Sequence, residues 1–134
     1  MIVVDTNIIA YLYLSNERSE QVEELFKKDP EWVAPLLWRS EFRNVLVTYM
    51  REGIISIHEA RQIMEEASIL MDGWEFEVAS FQVLELAASS ACSAYDCEFV
   101  AIAQEIRKPL VTVDKKILKE FPHIAKSLDD YLDF

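Results

Sequence analysis

Two short apolar runs in this chain end abruptly on an aspartate: Ile2-Val3-Val4-Asp5 and Leu110-Val111-Thr112-Val113-Asp114. Short β-branched runs of this kind read as buried parallel strands, which lack polar alternation because both faces are covered. In open α/β sheets ligands sit beyond the carboxyl ends of the strands, so both carboxylates are expected to face one crevice. Two helical segments each add another acid. Between Ser93 and Arg107, Asp96 heads an apolar stripe continued by Phe99, Ala103 and Ile106, which turns it inward. An inward carboxylate is costly unless it is paired or binds a metal. Glu41 lies early in a helix carrying Phe42, Val45, Leu46 and Tyr49. It falls at the border of that apolar face, with Asn44 a turn further on the same side.

Each acid also has a plainer explanation. Asp5 and Asp114 stand where a residue caps a following helix, and Thr6 and Asn7 could serve as caps or support a site. Asp96 and Glu41 are first-turn acids of the kind the helix dipole favours, Asp96 with a possible Ser93 cap. On position alone Asp5 and Asp114 are evenly balanced, Asp96 leans to function and Glu41 against it. The combination shifts the balance. Clustered carboxylates without His or Cys suit hard cations, Mg²⁺ or Mn²⁺. Such ions activate water and stabilise phosphoryl oxygens during in-line displacement.

Other chemistries find less support. The chain has no Gly-rich phosphate loop, which disfavours nucleotide-binding folds of that kind. Its two histidines, His58 and His123, are far apart, and there is no nucleophile elbow for serine or cysteine hydrolysis. Cys92 and Cys97 lack the spacing of a zinc site and read as reduced, buried thiols. A phosphatase of the haloacid dehalogenase type expects a second aspartate two residues after the first, and Asn7 stands there. A non-catalytic module whose acidic pocket receives a basic partner peptide remains the alternative, because a pocket for cations also accepts Arg.

The elements that must position these acids alternate along 134 residues, of which 51% are hydrophobic and only two are Gly. That composition predicts one ordered domain over residues 1–134. Helices are expected over Asn7–Leu14, about Glu17–Lys28, from after Pro35 to about Glu52 with Gly53 at its end, and from a Ser56-x-x-Glu59 capping box to Leu70. Further helices are expected from Ser80, from a Ser93 cap to Arg107, and over Ile117–Phe121. Trp32-Val33-Ala34 and Trp74–Val78 read as strands, and Pro109 introduces the last clear strand. Alternation of this kind predicts an α/β domain with a mainly parallel sheet. No signal peptide or membrane span is expected, and the protein reads as cytoplasmic. The net charge of −11 lacks the basic excess of a strong nucleic-acid binder. The cations are unevenly placed, however: Lys115, Lys116 and Lys119 follow Asp114, and Arg39 and Arg43 flank Glu41.

Four segments in order carry a resemblance. Met1-Ile-Val-Val-Asp5-Thr6-Asn7-Ile8, Ser40-Glu41-Phe-Arg-Asn44-Val-Leu46, Ala94-Tyr-Asp96-Cys-Glu-Phe-Val-Ala-Ile-Ala103 and Leu110-Val-Thr112-Val-Asp114 resemble the PIN-domain family, and most closely the VapC-type toxin ribonucleases. The resemblance spans nearly the whole chain and implies a three-layer α/β/α fold. Carried over by position, it implies that Asp5, Glu41, Asp96 and Asp114 form the acidic metal site, with Asp5 and Asp96 the most direct ligands. Thr112 falls where the family often has a supporting hydroxyl. The implied activity is a Mg²⁺- or Mn²⁺-dependent endoribonuclease, in which activated water attacks the phosphodiester and leaves a 5′-phosphate. The implied partners are structured RNA, a second copy in a homodimer, and a small antitoxin whose basic tail lies over the acidic groove.

Overall fold

Three residues of continuous apolar backbone, Ile2–Val4, form the central strand β1, and every one is buried. The computed structural model describes residues 1–133; Phe134 lies outside the described residues. The remaining strands are β2 (Trp32–Pro35), β3 (Glu75–Phe76), β4 (Leu110–Thr112) and β5 (Ala125–Ser127). All pairings are parallel, in the order β3-β2-β1-β4-β5. Val3 pairs with Val33 on one side and with Leu110 on the other.

The chain first steps outward from β1 through β2 to β3, then returns across the sheet to β4. The helices of the outward steps are α1 (Thr6–Tyr13), α2 (Ser19–Lys28), α3 (Trp38–Arg51) and α4 (Ile57–Met71); those of the return are α5 (Ser80–Ala88) and α6 (Ala94–Ile106). Right-handed crossovers put the two groups on opposite faces, giving the expected three-layer α/β/α fold. The reversal of direction falls between β1 and β4, the position at which open sheets bind ligands. Short α7 (Lys115–Glu120) and α8 (Leu128–Leu132) follow β4 and β5.

The helix on the return face is apolar on nearly every side. Cys97 and the run Phe99–Ala103 of α6 are buried, and α6 packs against β1, β2, β4 and α5 at once. Its start is fixed by the Ser93 hydroxyl, which accepts the Asp96 amide N–H at 3.1 Å. On the other face, α3 buries Trp38, Phe42 and Leu46 and ends at Gly53, whose φ of 75° suits glycine. The capping box of α4 forms as expected, with Ser56 and Glu59 each accepting the other's amide at 3.0 Å.

Two expectations need correction. The Trp74–Val78 alternation yields a strand of only two residues. Leu110–Thr112 is not the last strand, because Ala125–Ser127 pairs beside it. After β5 the chain forms α8, with Ser127 accepting the Asp130 amide at 3.0 Å. Cys92 and Cys97 are both free and buried. Among the described residues no helix is long and apolar enough to cross a membrane.

Candidate functional site

Because β1 and β4 are parallel neighbours, the residues just past their ends lie side by side. Asp5 and Asp114 occupy those positions, and each caps the helix that follows. Asp5 Oδ1 accepts the Ile8 amide at 3.1 Å and Asp114 Oδ1 accepts the Ile117 amide at 3.0 Å. Capping and site-forming thus coincide, since the bond that caps each helix also fixes the carboxylate over the end of the sheet. Thr112, fully buried on β4, links them. Its hydroxyl accepts the Asp114 amide N–H at 3.0 Å and donates to Asp5 Oδ2.

The two helix acids arrive from opposite layers, Glu41 from the first turn of α3 and Asp96 from the first turn of α6. Glu41 Oε1 accepts the Thr6 hydroxyl at 2.7 Å. All four acids line one cleft of about 440 Å³. Asn7, Ser40, Asn44 and Tyr95 share its wall with Thr6 and the apolar Leu37, Val45, Phe99 and Ile117. Ser40 and Tyr95 were not singled out from the sequence; the only signal was their position immediately before Glu41 and Asp96. Arg39, which also precedes Glu41, points elsewhere. Its guanidinium donates to Glu75 through Nε at 2.5 Å and Nη2 at 2.8 Å.

The electrostatics follow from burial and crowding. Burial pushes the Asp5 carboxyl up to about 6; the Thr112 and Ile8 hydrogen bonds pull it down, while Asp114 and Glu41 push it further up. Glu41 is also raised, first by burial and then by Asp96, against the Thr6 hydrogen bond. Asp96 is raised by burial and by Asp114, with Ser93 and Lys116 opposing. Glu98, one position beyond Cys97, is raised by burial and by Glu41. Several carboxylates that raise one another's proton affinity gain from a cation between them, and an all-oxygen donor set fits Mg²⁺ or Mn²⁺. They share one cleft without any three His, Cys, Asp or Glu side chains among the described residues already meeting closely enough to hold an ion.

A parallel sheet with acids gathered over its switch point, and no His or Cys among them, defines a class: an α/β protein with a carboxylate site for hard cations. The PIN-domain family model matches residues 2–125, and the chain belongs to that family. It is 34% identical over 133 residues to ribonuclease VapC3 of Pyrobaculum aerophilum, covering 92% of this chain and 97% of that protein. Among solved structures, PAE2754 from Pyrobaculum aerophilum superposes with a TM-score of 0.76 at 20% identity, over 98% of this chain and 92% of that one. A toxin–antitoxin complex from Klebsiella pneumoniae gives a TM-score of 0.68 at 18% identity, over 96% of this chain and 98% of that one. At such identities the two structures establish the shared fold.

Proposed function

We propose that this chain is a Mg²⁺- or Mn²⁺-dependent endoribonuclease that hydrolyses RNA phosphodiester bonds and acts as the toxin of a type II toxin–antitoxin pair. The observation that carries the reading is the convergence of Asp5, Glu41, Asp96 and Asp114 on one cleft at the switch point of the sheet. The likeness to a protein named ribonuclease along almost its full length supports the substrate class. The shared fold with a chain of a toxin–antitoxin complex supports the biological setting. The proposed location is the cytoplasm, where a toxin acting on RNA would meet its substrate.

When bound, the ion supplies Lewis acidity and offsets charge on the phosphoryl oxygens. Asp5 and Asp96 are the residues that would hold it most directly, with Glu41 and Asp114 completing the set. Thr112 keeps Asp5 and Asp114 in fixed relation, so the pair need not be ordered when substrate arrives. Glu41, half-buried and held by the Thr6 hydroxyl at 2.7 Å, is placed to take up a proton during attack.

A small antitoxin with a basic tail fits the acidic groove by charge. A homodimer is supported by large apolar side chains left in solvent: Phe81 and Leu84 lie one turn apart on α5, and Leu36 and Phe76 adjoin where the Leu36 amide donates to the Phe76 carbonyl. Cleavage of RNA with Mn²⁺ by the parent, Asp5→Asn and Asp96→Asn tests the proposal. Loss of cleavage in both variants, with unchanged circular dichroism, is expected. Cleavage by the double variant at the parental rate overturns the site assignment.

A further inference from the structure

Between Arg107 and Lys126 the chain reverses its charge. Six of its 13 Lys and Arg fall in this stretch, against two of its 24 acids. Both acids are engaged, since Asp114 caps α7 and lines the acidic cleft, and Glu120 accepts the Ala91 amide N–H at 2.5 Å. All six cations are exposed, and none forms an ion pair among the described residues.

The stretch has two parts. At the end of α6 and below the start of β4 a second cleft of about 480 Å³ is lined by Arg107, Lys108, His123 and Lys126, together with Gln104 and Pro109 and with no carboxylate. Arg107 caps α6 with φ of 57°, the one positive φ outside glycine among the described residues. That backbone position favours glycine, so Arg107 stands here against local preference, the kind of departure from which a role can be proposed. The second part is α7, which begins beside Asp114, carries exposed Lys115, Lys116 and Lys119, and ends three residues before His123. The charge of Lys116 reaches Asp96. From Pro109 to Asp114 the chain, extended along and just beyond β4, covers roughly 16 Å, the reach of a few nucleotides.

A chain of net charge −11 with an acidic groove repels a polyanion over most of its surface, so affinity for one must come from a local strip. We propose that the Arg107–Lys126 cleft and the lysines of α7 form a cationic track that holds the phosphate backbone of RNA leading into the acidic groove. The proposal rests on the ribonuclease reading above. Phosphate contacts of this kind position a substrate without reading its sequence.

The test compares the parent with Arg107→Gly/Lys108→Ala/Lys126→Ala on a 20-nucleotide single-stranded RNA and on a dinucleotide too short to reach the cleft. For the long RNA, KM is expected to rise about tenfold with kcat kept, and the salt dependence of binding to lose roughly 0.7 per phosphate contact removed. Kinetics on the dinucleotide stay unchanged. Should the triple variant fold poorly, Arg107→Gly alone serves, because glycine relieves the backbone there while removing a charge. Equal effects on both RNAs, or none on either, overturn the track. Anisotropy of labelled 20-mer in chelator separates the two readings. If no RNA is cleaved but the variant still loses about tenfold in binding, the track stands and the ribonuclease reading falls. If the parent does not bind RNA, or the variant loses only its binding of poly-glutamate, the track is overturned.

Discussion

Asp5 meets two demands that pull its proton in opposite directions. Two hydrogen bonds stabilise its charged form, and burial with neighbouring acids destabilises it; burial prevails and the carboxyl titrates at about 6. A folded-state value raised from 3.8 means that the folded protein holds its proton to higher pH than the unfolded chain does. In chelator, the contribution of Asp5 to stability is therefore greatest below about pH 4 and is lost as pH rises to about 6. The loss is on the order of 3 kcal/mol at most. Asp5→Asn keeps an acceptor for the Ile8 amide and cannot ionise, so urea unfolding of parent and variant across this window should show the variant gaining relative to the parent as pH rises. A constant difference would mean that Asp5 is not the strained carboxyl. Thr112 yields a second expectation. Thr112→Val leaves both Asp5 Oδ2 and the Asp114 amide without their partner, at about 1–3 kcal/mol, whereas Thr112→Ser retains the hydroxyl and most of the stability. Denaturation midpoints of the two variants check this, and equal midpoints would remove the hydroxyl's structural role. Asp5, Asp114 and Asp96 are legible from residue type and spacing, because strand ends and inward helix faces are local properties, whereas Glu41 gains weight only from the combination of the four and the family resemblance. The Thr6–Glu41 bond spans 35 residues in sequence, and the Thr112–Asp5 bond spans 107. No periodicity reports contacts of that kind.

Among the elements, β3 shows how little local sequence is needed when tertiary contacts supply the rest. It has two residues, and its place at the sheet edge is secured by the Ala34 amide donating to Trp74 and the Leu36 amide to Phe76. Glu75 adds a side-chain anchor, accepting from Trp38 Nε1 at 2.5 Å and from both ends of the Arg39 fork. Arg39 and Glu75 each shift in the direction of their charged forms, chiefly through this hydrogen bonding. Glu75→Ala would leave the indole N–H of buried Trp38 unpaired and should cost about 2 kcal/mol. Arg39→Ala, at a more exposed partner, should cost less. Urea titrations give the ranking, and hydrogen exchange at Ala34 and Leu36 should quicken in the Glu75 variant. If Arg39→Ala proves the more damaging, the anchor is the ion pair and not the indole bond. The elements read most accurately from sequence were those with chemical start signals, such as the Ser56–Glu59 box and the Ser93 cap. β5 escaped notice because Ala125-Lys126-Ser127 offers one small apolar residue, as suits an edge strand held by β4 alone. α8 escaped because five residues give no periodicity to detect.

At the scale of the whole molecule, alternation of strands and helices was enough to predict the α/β class, but the order β3-β2-β1-β4-β5 depends on which strands pair, and the handedness of each crossover then fixes the face its helices cover; composition encodes neither. That order sets Asp5 beside Asp114 and lets α3 and α6 bring their acids from opposite layers, so the charge of the site is a property of the assembled fold. The unfolded chain has no such site, and a cation that binds only the folded form must stabilise it by mass action. Mn²⁺ at a hundred times its dissociation constant should add about 2.7 kcal/mol, visible as a higher melting temperature. An arginine-bearing tail offers the same oxygens a bidentate cation, so tail and Mn²⁺ should exclude one another. A synthetic peptide carrying two arginines, titrated calorimetrically into the protein, should bind more weakly when Mn²⁺ is present and weaken further as salt rises, to the extent that its ion pairs remain exposed. Asp96→Asn removes one of the contested carboxylates and should weaken peptide and metal together. Peptide affinity indifferent to both Mn²⁺ and Asp96→Asn would mean that the tail docks outside the groove, and inhibition by occupation of the acidic cleft would have to be abandoned even if the cleft itself cleaves RNA.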